Sequence, residues 1–323
     1  MNLENGSTLV HVPVLVEQVT LGTTKKGSNY FSLTVRDTEN SVQAKIWSAT
    51  EDMKKTLKAG NVINIHATVS EYQNKPQIVI ESYAPSLKDP SDFVKRTRFN
   101  IDELWERVVS VIESFDEPLT KRIAEDLLIH DSILTALVKK SPAATKVHNN
   151  WVGGLLEHIC SMIQLAEPVI AHYRKNYHPK LSRDKVLFGV IFHDIGKVIE
   201  YDSSNLAFPP TPNGVLVNHI VIGPAWVYHA SKKIRSLQEG TKGFEGVDWN
   251  GETSHLMHLI ASHHFKLEWG SPVSPATLEA VLLHFLDNMD STFMHAFDLI
   301  EKGEGPVAGY SERSYYERTS YKL

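Results

Sequence analysis

The 323-residue chain carries 33 Lys and Arg against 38 Asp and Glu, a formal net charge of −5. That excludes the global basic footprint of a protein that coats duplex nucleic acid, though not a cleft that takes one strand end. The single cysteine, Cys160, excludes an intrachain disulfide and a cysteine-based zinc finger, and fits a reduced, cytoplasmic setting. No run approaches the ~18 apolar residues of a membrane span, and the N-terminus lacks the basic and apolar segments of a signal peptide, so no membrane partner is expected.

From Thr8 to about Tyr83 the hydrophobic period is two. Val10, Val12, Val14 and Val16 alternate with other residues, and strands follow at Tyr30–Arg36 and Val42–Trp47. Residues 49–58 read as a short helix closed by Gly60; strands Val62–Val69 and Gln77–Tyr83 flank a polar turn over 71–76. Three strands, a helix and two strands is the order of a five-stranded OB barrel, a fold that binds single-stranded nucleic acid across strands two and three. Parity sends Phe31, Leu33, Val35, Val42, Ala44 and Ile46 inward. It leaves Tyr30, Arg36, Lys45 and Trp47 outward as candidate nucleic-acid contacts; cover of Trp47 by the linker or the second domain is the alternative.

Residues 84–92 form a turn-rich linker. The period then becomes helical: Asn100 with Glu103 three residues on resembles a capped start to an apolar stripe from Ile101 to Ile112, and helices follow over 118–128 and over 133–139. These read as connecting and bracing elements. Beyond Ala143 come longer amphipathic helices and most of the sixteen histidines. Asp184 is expected to cap a helix that delivers His193-Asp194, with Lys197 one turn on, and Asn218-His219 opens another. A surface loop is expected over 236–253, a helix from His255 to His264, and a last helix from Leu278 to Met294 carrying His284, Asp287 and Asp290 on one face. The tail from 301 to 323 is polar with scattered Tyr and Arg.

His158, His193, Asp194, His219, His263, His264 and Asp287 all stand at or near helix ends, inside otherwise apolar runs. A lone buried histidine is usually a core residue with a satisfied ring, but this many in one domain would each need a partner. A shared cation satisfies them together. Imidazole and carboxylate without thiolate suit Mn2+, Fe2+, Co2+ or Zn2+. The ligands outnumber what one ion takes, so two divalent ions bridged by Asp194 is the economical arrangement, and a two-metal clamp suits phosphodiester hydrolysis.

This half resembles the HD superfamily of metal-dependent phosphohydrolases, whose signature His…His-Asp…Asp is matched by His158, His193, Asp194 and Asp287. In binuclear branches further histidines hold a second ion, and by position these are His219, His263 and His264. The resemblance implies that Lys197 lies near a substrate phosphate. In place of the Gly-Tyr-Pro segment of the cyclic-dinucleotide branch stands Glu268-Trp269-Gly270-Ser271-Pro272. An OB module ahead of an HD domain with both local signatures, from about Val10 to Tyr316, resembles the YhaM-type 3′–5′ exoribonucleases of Gram-positive bacteria.

What that implies is removal of nucleoside 5′-monophosphates from the 3′ end of single-stranded RNA or DNA, with Mn2+ preferred. Asp194 and Lys197 are then the catalytic candidates. The first ion falls to His158, His193, Asp194 and Asp287, and the second to Asp194, His219, His263 and His264. Adjacent histidines on a helix point about 100° apart, which makes His264, with His219, the least secure of these ligands. Asp290 and His284 orient ligands, while His148 is left as an alternative ligand, a substrate contact or part of a helix start. The expected organisation is multidomain: 1–90 an OB-fold nucleic-acid-binding domain, 91–142 linker and bracing helices, 143–300 the all-α HD domain, 301–323 the tail. Two other readings stay open: a phosphohydrolase of nucleotides or cyclic dinucleotides, and a non-catalytic nucleic-acid-binding factor. Homo-oligomerisation also stays open.

Overall fold

The structure is a computed structural model and describes all residues except 25–26, 39, 48, 51, 73–74, 94, 145–150, 204–207, 302, 304, 306, 308, 313, 315–319 and 323, and the side chains of 54 and 91. It divides into two compact units, Met1–Lys95 with Asp202–Pro210, and Arg96–Tyr201 with Thr211–Leu323.

The first unit is a closed barrel of strands β1 (Thr8–Thr23), β2 (Asn29–Arg36), β3 (Ser41–Trp47), β4 (Val62–Tyr72) and β5 (Lys75–Pro85), in the order β1-β2-β3-β5-β4. A one-turn helix, α1 (Met53–Thr56), stands between β3 and β4. It is shorter than the sequence suggests: the chain leaves helix at Leu57 and turns through Gly60 at φ +88°. Strand β1 pairs with both β2 and β4, shifting register between Val16 and Gln18 and between Leu9 and Val12. Such bulges bend one long strand enough to serve two neighbours. The expected parity holds, with Phe31, Leu33, Val35, Val42, Ala44 and Ile46 all buried.

The second unit is all-α. Helix α2 (Ile101–Glu113) is capped as its sequence signals, Asn100 Oδ1 accepting the amides of Asp102 and Glu103. α3 (Pro118–Ala124) runs on through a π-helical turn (Glu125–Ile129) to α4 (Ser132–Lys140), capped by Asp131. The long helices are α5 (Gly154–Asn176), α6 (Arg183–Phe192), α9 (His219–Gln238), α10 (Trp249–Ser262) and α11 (Leu278–Glu301), with one- and two-turn pieces α7 (Lys197–Glu200) and α8 (Pro212–Val217). The residues expected to brace form no body of their own. Val108, Ile112, Ile123 and Leu134 lie in one hydrophobic core with Leu155, Val190 and Leu259.

Helix α6 is buried all round from Asp184 to Phe192. Each fully buried Leu, Ile or Phe there contributes about 1.5–3 kcal/mol, so this helix is the fixed post of the unit. Its cap differs from expectation. Ser182 Oγ accepts the Lys185 amide, whereas Asp184 Oδ2 reaches away to the amides of Asp116 and Glu117 at 2.6 and 2.8 Å. Gly189 lets α11 approach, since a Cβ there would stand 2.8 Å from a methyl of Leu283. Among the described residues, no helix is long and apolar enough to cross a membrane.

Candidate metal centre and nucleic-acid face

The post ends at the His-Asp pair. His193 closes α6 with its Nδ1–H donating to the Val190 carbonyl at 3.0 Å, which aims Nε2 the other way. The chain turns through residues 193–196 and starts α7 at Lys197. Gly196 is required for this turn to seat. A Cβ there would fall 2.5 Å from the His219 carbonyl oxygen and 2.7 Å from its Cα, so only glycine lets the α9 start press against the motif. Asn218, at φ +67°, opens α9 by accepting the Ile220 amide.

Four imidazoles now share one habit. His158 Nδ1 lies 2.7 Å from Asp290 Oδ2, and His219 Nδ1 2.5 Å from Glu200 Oε2; His193 and His263 donate from Nδ1 to the carbonyls of Val190 and Ile260. Each ring is thereby held with Nε2 facing its neighbours. Asp194 stands among them with its two oxygens divided. Oδ2 is 3.3 Å from His193 Nε2 and 2.6 Å from Lys197 Nζ, while Oδ1 is 3.4 Å from His219 Nε2 and 3.7 Å from His263 Nε2. Asp287 Oδ1 adds contacts of 3.3 Å to His158 Nε2 and 3.9 Å to His193 Nε2.

This packing leaves His193 Nε2, Asp194 Oδ1, His219 Nε2 and His263 Nε2 buried without a hydrogen-bond partner. Unpaired buried polar atoms are costly, and several lone pairs aimed at one another are more so. A cation relieves both. The ligand atoms form two groups, His158-His193-Asp194 and His219-His263-His264, each within 4.8 Å, so the donor set fits metal ions.

Protonation agrees. Burial pushes His263 well below the ordinary imidazole value, helped by His264 and His193, and burial with His219 lowers His264, so both rings offer lone pairs. Burial opposes charge on Asp194, but Lys197, His193 and His219 hold its carboxyl well below the usual carboxylate range. His158 behaves oppositely. Burial disfavours its charge, yet Asp287 and Asp290 raise it to about 10, so a cation bound there displaces a proton.

The adjacent histidines both reach the cluster, with ring centroids 4.1 Å apart. The divergence of neighbours on a helix does not apply, because α10 ends at Ser262 and His264 Nδ1–H turns to the Trp269 carbonyl at 2.9 Å. His284 donates to the His263 carbonyl at 2.7 Å, and Ser161 Oγ donates to Asp290 Oδ1, which fits the orienting parts expected of His284 and Asp290. Lys197 Nζ, partly buried, is shared between Asp194 and the Ala143 carbonyl at 2.6 Å. His148 lies outside the described residues. Glu200 escaped the sequence reading although it accepts both the ring and the backbone N–H of His219. Its signal was an acid three residues past Lys197, directly after the apolar pair Val198-Ile199.

On the barrel, Tyr30 and Trp47 are register partners with rings 5.3 Å apart, and Trp47 is 48% exposed. Lys45 Nζ lies 5.4, 5.2 and 5.7 Å from the rings of Tyr30, Trp47 and Tyr72. Tyr72 was missed because it reads as part of a turn, whereas β4 continues through it. Arg36 does not join this group. It sits at the far end of the β2–β3 ladder, about 20 Å along the strand from Tyr30, and its guanidinium pairs with Glu17.

Residues 12–85 match the family described as an OB-fold nucleic acid binding domain, and residues 155–292 match the HD domain. Over most of its length the chain is similar to proteins named 3′-5′ exoribonuclease YhaM. The one from Geobacillus sp. (strain WCH70) is 30% identical over 95% of this chain and 91% of its own length. The Oceanobacillus iheyensis protein is 32% identical over 90% and 87%, and the Bacillus subtilis protein 30% identical over 96% and 95%.

Proposed function

The chain belongs to the family of YhaM 3′–5′ exoribonucleases, and from that premise we propose that it hydrolyses single-stranded RNA from the 3′ end, releasing nucleoside 5′-monophosphates, in a reaction that needs two divalent ions, Mn2+ favoured. The observation that carries this reading is the convergence of four buried, unpartnered ligand atoms on His193, Asp194, His219 and His263. His158, His193, Asp194 and Asp287 would hold one ion, and His219, His263 and His264 the other, with Asp194 divided between them. Divalent ions, when bound, polarise the phosphodiester and make water acidic enough to ionise near neutral pH.

In the hydrolysis a water oxygen forms a bond to phosphorus, the bond from phosphorus to the 3′ oxygen of the preceding nucleotide breaks, and that oxygen takes up a proton. The chain's own residues prepare for this. Asp290 and Glu200 fix the tautomers of His158 and His219, so no reorganisation is needed during the reaction. The Lys197 ammonium, kept charged by Asp194 and held by the Ala143 carbonyl, sets fixed positive charge beside the reacting phosphate. On the barrel, Tyr30, Trp47 and Tyr72 offer flat faces and Lys45 a cation, which suits sequence-tolerant binding of a single strand in the cytoplasm.

The test is a 5′-labelled single-stranded RNA incubated with Mn2+, beside the Asp194→Ala variant. A ladder shortening from the 3′ end, absent in the variant, supports the reading, and an intact RNA at saturating Mn2+ overturns it. A DNA oligomer of the same sequence measures how far the 2′-hydroxyl matters.

A further inference from the structure

Immediately after His263 and His264 the chain makes a tight turn. Phe265 adopts φ +71°, a left-handed conformation that strains an aromatic residue. A 3-10 turn (Leu267–Trp269) follows and ends at Gly270, φ +99°. This tight path brings Phe265 and Trp269 together around His284, whose ring lies 4.8 Å from Phe265, 6.4 Å from Trp269 and 5.1 Å from Phe285. The imidazole is buried, but the outer rings are open: Trp269 is 51% and Phe285 56% exposed. Lys266 Nζ lies 4.3 Å from the Trp269 ring centroid and 3.6 Å from the exposed Glu268 carboxylate, a pair that solvent screens.

Scattered exposed aromatics are ordinary. These are not scattered. The Trp269 carbonyl accepts the His264 Nδ1–H, and His284, which these rings flank, donates to the His263 carbonyl, so the open rings begin where the ligand set ends. A strained backbone, a cation beside the indole and an apolar cluster at the rim of a polar site together describe a seat for a flat, anionic ligand.

We propose that Trp269, backed by Phe265 and Phe285, is the stacking seat for the base of the 3′-terminal nucleotide, with Lys266 drawing in a phosphate of the same strand end. The assignment rests on the exoribonuclease reading. Every base has a π face, so such a seat accepts all four and selects only for the presence of a base. It orients the terminal nucleotide so that its phosphodiester meets the histidine–aspartate cluster.

The experiment compares a single-stranded RNA with an intact 3′-terminal nucleotide against the same RNA ending in an abasic nucleotide, both with Mn2+. The enzymes are the wild-type protein, Trp269→Ala and Trp269→Phe. Shortening of the intact RNA by the wild-type enzyme is the control; its absence would remove the exoribonuclease reading itself. Given that activity, the wild-type enzyme should prefer the intact end in kcat/KM by about tenfold to hundredfold. Trp269→Ala should lose that preference, chiefly through KM on the intact RNA, and Trp269→Phe should keep most of it. Equal rates on the two ends in the wild-type enzyme would overturn the proposal. So would a Trp269→Ala variant that keeps the preference but binds Mn2+ less tightly, since Trp269 would then serve only to hold His264. A change in oligomeric state with the preference unchanged would also overturn it, and assign these rings to contact with a second copy.

Discussion

Replacing Glu200 tests whether this carboxylate sets one half of the metal centre. Its Oε2 accepts two N–H groups from one residue, the His219 ring at 2.5 Å and its backbone amide at 3.0 Å. A hydrogen bond to a charged group is worth about 1.5–3 kcal/mol, and loss of the partner that orients a ligating imidazole costs about 10- to 100-fold in metal affinity. Glu200→Gln keeps one carbonyl acceptor and loses the charge, so about tenfold is expected, and Glu200→Ala should approach hundredfold. The loss should be selective. His219 groups with His263 and His264, whereas the other group, His158-His193-Asp194, has its own orienting carboxylate in Asp290. Calorimetric titration with Mn2+ should therefore show one of two binding steps weakened and the other unchanged, and RNA shortening should recover at higher Mn2+. Two unchanged affinities, or both weakened equally alongside a lowered melting temperature, would refute the assignment.

Three further outcomes are expected. Gly196→Ala drives a Cβ to 2.5 Å from the His219 carbonyl; overpacking against backbone costs about 1–3 kcal/mol, so both the chemical-denaturation midpoint and Mn2+ binding should fall, and a fully stable, active variant would contradict the close approach. Lys45→Ala should weaken single-strand binding uniformly across sequences and reduce the salt slope by about one ion, whereas Arg36→Ala, whose partner is Glu17, should leave that slope unchanged in a filter-binding or anisotropy assay. Burial opposes charge on Glu279, but hydrogen bonds from His255 and the Ser182 amide hold its carboxyl at about 2. A folded value depressed below the ordinary 4.5 gives stability that is complete above about pH 4.5 and fades as pH falls toward 2. Glu279→Gln should cost about 1–2 kcal/mol at neutral pH and flatten that acid limb in urea unfolding.

Local chemistry carried far. Period-two alternation placed the inward residues of β2 and β3, and the Asn100 and Asn218 caps announced α2 and α9 before any packing was known. Where the reading slipped, the deciding partner was distant in sequence. Asp184 looks like a cap, but its carboxylate is taken by amides 67 and 68 residues away and Ser182 caps instead. Arg36 has the right parity for a phosphate contact, but a neighbouring strand supplies Glu17. Tyr72 vanished into a turn because polar composition outweighed alternation.

The sequence by itself determined the barrel, the helical second unit and the residue types of the metal cluster, because strand parity, helix period and caps depend on neighbours within a few positions. Only the tertiary structure decided the rest. It turned four Nε2 atoms toward the Asp194 and Asp287 carboxylates, divided the two oxygens of Asp194, recruited Glu200 to His219 and freed His264 by ending α10 at Ser262. These depend on where the ends of α6, α9 and α10 meet the middle of α11, and that is fixed by close packing of a core whose contacts lie tens of residues apart in the chain.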